Sequence, residues 1–244
     1  MIYIYDSSFG GLLTLINYLI KNKIKPYDIK DESYSPSLLE KTFYPKINDE
    51  ELIQRIIDKI GIFSFKVVYC VFLSSNNNKE LLIYYFLLNS LKYKEKICYM
   101  RNLKCVSECL KISQYVKREN HKYKGFVRFK ELNNNVLYSE IEPENDILFL
   151  LCTHFKERLK NERWIINDLR RGIVGVYDKK KLYILDSTGL MDKTLKFSDE
   201  ENNYQEMWKE FYKTIGIKER KNDRCRINFM PKKYWKHILE MEEI

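Results

Sequence analysis

Four side chains combine a reactive type with a position suited to chemistry: Asp6, His154, Asp168 and Arg171. Asp6 and Asp168, like Asp186, each follow an apolar run. A carboxylate at a strand end is a common place for function, and also a common turn residue. His154 falls on the apolar stripe of its segment with Ile147, Leu150 and Leu151. These four form the candidate catalytic set. The stretch "EIEPEND" adds Glu140, Glu142, Glu144 and Asp146, the residue types of a carboxylate metal site. No spacing makes that site specific, so no metal is assigned. The six cysteines contain no CxxC. Cys105 and Cys109 share a helix face, but no fourth ligand stands at metal-site spacing, and structural thiols are expected. A Gly-rich phosphate loop, G-x-S-x-G, H-E-x-x-H, a zinc-deaminase signature and the C-x3-C-x2-C cluster of radical-SAM enzymes are all missing from the sequence. No cofactor is expected.

The second kind of candidate is cationic. The chain carries a formal charge of +9 and contains no alanine, with many Lys, Asn, Ile and Tyr residues, a bias that inflates lysine by itself. The distribution of charge says more. Residues 117–130 hold six Lys/Arg against one acid, and residues 218–236 hold eight against two. The two blocks carry +5 and +6, so the remainder of the chain, 9 less 11, carries −2. Phosphate-backbone binding needs clusters of this kind. The first block offers Lys117, Arg118, His121, Lys122, Lys124, Phe126, Arg128 and Lys130. The second offers Arg220, Lys221, Arg224, Arg226, Lys232, Lys233 and Trp235, with Arg able to grip phosphate as a fork and an aromatic ring able to stack on a base. "KYKGFVRF" (122–129) matches five positions of the RNA-recognition octapeptide, but Tyr123 and Lys124 stand where glycine and a stacking aromatic belong. That module is not expected.

The elements that must position these residues follow from periodicity. "YIYD" reads as a short strand, followed by a helix capped by Ser7 or Ser8 and carrying Leu12, Leu13, Ile16 and Leu19. Residues 25–47 are polar with three prolines and read as a connector. Asn48 is predicted to cap a helix stopped by Gly61. Residues 63–74 fit strand or helix; "NNNKELLIYYFLLNSL" and roughly 101–119 read as helices. Residues 125–131 and 136–141 alternate around "NNN", which predicts a hairpin with Val127 and Phe129 inward and Phe126, Arg128 and Lys130 outward. Pro143 is expected to start a helix over 144–159. "RWIIND", "GIVGVYD" and "KLYILD" follow, the last two predicted as strands. Ser198 and Glu201 form a capping box opening a helix with Tyr204, Met207, Trp208, Phe211 and Ile215 on one face. Pro231 is expected to open a helix running to the terminus. The fold class is α+β: a helical N-terminal half packed with a mainly antiparallel sheet and helices in the C-terminal half. A single domain is expected over 1–244, helix-rich in 1–120 and sheet-bearing in 121–244, with a shared core.

Several stretches together are similar to one bacterial family. "YIYDSSFGGLL" resembles that family's Y-D-G-S-F-E-G-L-L start. "HKYKGFVRFKEL", "VLYSEIEPENDIL", "HFKERLKNERWIIND" and "RRGIVGVYD" follow in its order, and the tail from "YQEMWKEFYKTIGIKER" to "FMPKKYWKHI" resembles its ending. The coverage runs from residue 3 to about 238. The family is described as DNA metabolism or DNA repair proteins with a domain of unknown function. Its members are encoded beside a radical-SAM protein with a DNA modification or repair label, and elsewhere a similar domain is fused to uracil-DNA-glycosylase-like domains. The resemblance therefore implies a DNA repair context, with DNA and that radical-SAM protein as partners. Three positions depart from the family: Ser7 replaces a glycine, Gly10 an acid, and Asn167 the histidine of W-I-I-H-D, which weakens any general-base role there.

Three functions are thus expected in turn. One is a DNA repair or modification accessory protein that binds DNA through 117–130 and 218–236 and works with a radical-SAM partner. Another is a nuclease- or glycosylase-like enzyme using Asp168, His154, Arg171 and Asp6. The last is a protein-interaction subunit without direct DNA contact. No apolar run is long enough to cross a membrane, and the opening residues lack a signal-peptide pattern, so a cytoplasmic location is expected.

Overall fold

The computed structural model describes residues 1–36, 42–43, 51–187 and 196–241. They form two compact units, Met1–Arg118 and Glu119–Ile244. In the first, β1 (Ile2–Tyr5) leads through α1 (Phe9–Lys21) to β2 (Asp28–Asp31), and β3 (Thr42–Phe43) completes a parallel sheet of order β2-β1-β3. The turn into α1 is built around Asp6. Its Oδ1 accepts from the Ser8 amide at 3.0 Å and the Ser8 hydroxyl at 2.7 Å, while Ser8 Oγ caps the Gly11 amide at 2.9 Å. A Cβ at position 11 would lie 1.8 Å from Asp6 Oδ1, so the turn requires glycine there. Asp6 is therefore a turn residue that fixes the start of a helix.

The described residues of this unit also form α2 (Leu52–Phe72), α3 (Lys79–Tyr93), a 3-10 turn over Lys94–Tyr99 and the start of α4 (Lys104–Phe126), which runs past the boundary between units. The expected stop at Gly61 is real. Its φ of 75° and ψ of 151° interrupt α2, and the ambiguous stretch after it is helical. The expected cap Asn48 lies outside the described residues. Leu12, Leu13, Ile16, Leu19, Ile29, Val67, Val71, Ile83 and Phe86 form an apolar core. Glu80 is buried inside it and accepts from the Tyr5 hydroxyl at 3.2 Å. Burial raises both the Glu80 carboxyl and the Tyr5 phenol above their usual ranges. Polar residues 28–31 were expected in a connector. They form a strand because pairing with β1 satisfies their backbone whatever their side chains are.

In the second unit a five-stranded sheet runs in the order β4 (Lys130–Leu132), β5 (Val136–Ile141), β6 (Trp164–Asp168), β7 (Ile173–Tyr177) and β8 (Leu182–Asp186). Only the β5–β6 pair is parallel, and its crossover carries α5 (Leu148–Arg158). The sheet is thus mainly antiparallel in an α+β chain. The α5 helix packs so closely on β7 that a Cβ at Gly175 would come within 2.2 Å of Cys152 Sγ. Trp164 is fully buried, with Phe129 and Tyr177 around it. The chain then forms α6 (Asp199–Ile215) and α7 (Asp223–Phe229), and 3-10 turns over Lys232–His237 and Leu239–Met241.

Two expectations are corrected here. Residues 121–126 continue α4, so the hairpin strand begins only at Lys130. Tyr123 and Phe126 lie three apart on that helix and both pack on Tyr234, at 5.1 and 5.0 Å between rings, which favours helix over strand. The helix expected from Pro231 is replaced by the two 3-10 turns, whose Tyr234, Ile238 and Met241 are buried. The capping box holds in part. Ser198 Oγ accepts from the Glu201 amide, but the Glu201 carboxylate reaches the Glu131 amide of β4 at 3.0 Å.

Candidate functional site

Three regions of the second unit use residues singled out by sequence. The first is a buried knot. Asp168 ends β6 at 0% exposure. Its Oδ1 accepts from the Arg170 and Arg171 amides, and Oδ2 accepts from Arg171 Nη1 at 3.0 Å. The same guanidinium donates to the carbonyls of Pro143 and Glu144, at 3.1 and 2.7 Å. Glu119, buried on α4, accepts from the Glu144 amide, the Asn145 amide and Asn145 Nδ2, all within 3.0 Å. Residues 143–145 are thereby clamped from both sides, and α5 starts at Leu148 rather than directly after Pro143. Lys233 closes the knot, 2.9 Å from Glu144 Oε1 and 3.6 Å from Glu119 Oε1. Burial raises the Asp168 carboxyl, and Arg171 opposes the shift. Burial alone would lower Lys233. Its hydrogen bond to Glu144 and the two carboxylates outweigh this and hold the ammonium well above its usual range.

The second region is a small polar pocket of about 110 Å³ lined by Arg128, Lys130, Tyr138, Glu140, Lys236 and His237, among others. Strand alternation and register put Tyr138, Glu140 and Asn167 on one sheet face. Asn167 Nδ2 donates to the Tyr138 hydroxyl at 3.1 Å, which donates to Glu140 Oε1 at 2.9 Å; Asn167 Oδ1 is buried and has no hydrogen-bond partner among the described residues. His237 lies between two carboxylates, with Nδ1 3.9 Å from Glu140 and Nε2 3.5 Å from Glu142. Burial lowers its pKa and the carboxylates oppose this. Lys236 forms an ion pair with Glu142, and its hydrogen bond is the main cause of that carboxyl's lowered pKa. Among the described residues, no group of three or more His, Cys, Asp or Glu is placed to hold a metal ion.

The third region runs along α6. Arg128 and Lys130 line a groove of about 640 Å³ with Tyr204, Met207, Trp208, Phe211 and Glu240. Arg220, Lys221 and Arg226 line a cavity of about 710 Å³ with Tyr212, Ile215, Cys225 and Glu240. Glu240 belongs to both, so the two basic blocks of the sequence meet at this residue. Its carboxylate lies 3.4 Å from Arg128 Nη2 and accepts from Trp208 Nε1 at 3.1 Å.

The remaining candidates are placed as follows. His154 is half-buried, edge-on to Phe155, and its pKa is lowered first by burial and then by Lys124 and Arg158. Among the described residues, no hydrogen bond or ion pair joins it to Asp168 or Arg171. Lys117 and Arg118 are exposed in the first unit, where Lys117 lies over Phe63. His121 and Arg224 are exposed. Lys122 lies over the Tyr234 ring that Phe126 also packs on, so Phe126 is not an open stacking surface. Trp235 donates to the Met230 carbonyl and is covered by Arg226 and Lys232. Glu119, His237 and the α6 face were not among the expected site residues. A partner far along the chain defines the first two, and exposure, which periodicity does not report, defines the third.

The family described as domain of unknown function DUF4130 matches residues 77–240, and the chain belongs to that family. No curated protein and no solved structure matches the chain.

Proposed function

We propose that this DUF4130-family member is a DNA-binding accessory protein of DNA repair or modification, with a radical-SAM protein as its catalytic partner. One observation carries the DNA contact: cations from both basic blocks line adjoining cavities that share Glu240. The internal ion pairs refine the set of phosphate contacts. Lys233 and Lys236 are engaged with Glu144 and Glu142, and Arg226 with Asp223. Lys124, Lys130, Arg220, Lys221, Arg224 and Lys232 are the better candidates. Six phosphates neutralised give a slope of log affinity against log salt of about −5 on duplex DNA. Anisotropy titrations of labelled oligonucleotides at several salt concentrations measure that slope. Absence of binding even at low salt would remove this reading.

An enzymatic reading is favoured only by the polar pocket, where His237 stands between Glu140 and Glu142. Asp168 suits it less, since both of its oxygens are engaged at 0% exposure. Turnover of uracil-containing or damaged oligonucleotides by the pure chain, abolished in His237→Asn with binding intact, would select that reading.

A further inference from the structure

The apolar face of α6 is uncovered. Tyr204 is 69% exposed, Met207 67%, Trp208 44% and Phe211 53%, and none of the residues of α6 is buried. These residues recur at helical spacing, so the exposure belongs to one continuous face. A continuous exposed apolar face of this kind is a candidate binding surface. The rings are held in place. Trp208 Nε1 is fixed on Glu240, and the Trp208 and Phe211 rings lie 5.7 Å apart and within 34° of parallel.

The charge around the face identifies the occupant. Lys130 lines the groove beside Glu131, whose amide meets Glu201 in the first turn of α6, and Arg220 and Lys221 line the adjoining cavity. The carboxylates that line the groove and cavity are already engaged: Glu201 with the Glu131 amide and Gln205, Glu240 with Arg128 and Trp208, and Asp223 with Arg226. Arg220 and Lys221 are exposed, and their side chains make no hydrogen bond or ion pair among the described residues. An aromatic floor between two cationic ends suits a chain of flat rings joined by phosphates. A duplex hides the faces of its bases within the stack, whereas an unpaired strand offers them. From Tyr204 to Phe211 the helix rises about 10 Å at 1.5 Å per residue, and about three bases stack in that length at 3.4 Å each.

We propose that the groove along α6 binds single-stranded nucleic acid, with bases stacked on Tyr204, Trp208 and Phe211 and phosphates held by Lys130 at one end and Arg220 and Lys221 at the other. This rests on the DNA-binding reading above and adds the strand state and the residues that read it. The test uses the full chain, titrated with labelled oligo-dT and with a duplex of equal length at the same salt. The single strand is expected to bind more tightly. Trp208→Ala combined with Phe211→Ala is expected to weaken it by about 10- to 100-fold while leaving duplex binding nearly unchanged. Trp208→Phe keeps a ring and is expected to retain most of the affinity. Circular dichroism of each variant confirms that the fold is kept.

Wild-type single-strand affinity in the double alanine variant, with binding still lost in Lys221→Glu, would overturn the groove and leave the DNA reading standing. No binding of either oligonucleotide by the wild type would remove both. A wild-type dimer in sedimentation that Trp208→Ala makes monomeric, with oligo-dT affinity unchanged, would overturn the proposal in favour of a second copy covering α6.

Discussion

Lys233 and Lys221 belong to the same basic block, yet the fold uses them in opposite ways. Lys233 reaches into the knot and neutralises Glu119 and Glu144, which hold and precede α5. Lys221 lines an open cavity beside Arg220. The tryptophans divide in the same manner: Trp164 is sealed among rings, and Trp208 lies on the exposed face of α6. A cluster of positive charge in a sequence therefore counts two populations. One neutralises carboxylates that the fold has buried. The other remains for a ligand, and only it should appear in a salt slope.

The division can be tested from its strongest consequence to its weakest. Arg171→Met leaves Asp168 buried without its counter-charge and frees the Pro143 and Glu144 carbonyls. It is expected to cost about 3–5 kcal/mol in urea unfolding, whereas Lys221→Glu should stay within about 0.5 kcal/mol. A comparable loss from both would erase the distinction. Trp164→Ala should cost about 3–5 kcal/mol, with Trp208→Ala almost silent in stability. Next comes Gly175→Ala, which drives a methyl group into Cys152 and should cost about 1–3 kcal/mol, partly recovered by adding Cys152→Ala.

The smallest effect is on pH. The pKa of His237 is lowered in the folded chain from an ordinary 6.5, so the unfolded state binds more protons just below that value. Its contribution to stability is present above pH 6.5 and is lost as pH falls through the folded pKa. The pKa of His154 is lowered too and acts in the same direction. Chemical denaturation at a series of pH values below 6.5 should thus show a slope that His237→Gln reduces and does not abolish. An unchanged slope would mean that burial does not depress the His237 pKa in solution.

Local signals in the sequence were read correctly where the cause is local. The Gly61 break, the Ser198 cap and the hairpin around residues 133–135 each depend on a few neighbouring residues. The strand expected from residue 125 starts only at Lys130, because apolar residues at 123, 126, 127 and 129 serve a helix as well as a strand. Tyr234, about a hundred residues away, supplies the surface that settles the choice. The site was less legible for the same reason. Arg128 meets a carboxylate 112 residues away, Lys236 one at 94 and Lys233 one at 89. No periodicity encodes such pairs, so free and engaged cations look alike in one dimension.

Cys225 gives the α6 region a practical use. Of the six thiols it is the exposed one, while Cys70, Cys98, Cys109 and Cys152 are buried and Cys105 is half-covered. Burial pushes the Cys152 thiol up to about 12, and Cys98, Cys105 and Cys109 shift in the same direction, so few of them are thiolate at neutral pH. Cys225 lines the cavity that holds Arg220 and Lys221. A maleimide fluorophore should therefore attach there first in the unaltered chain, and its emission would report occupancy of the cavity without any engineered residue.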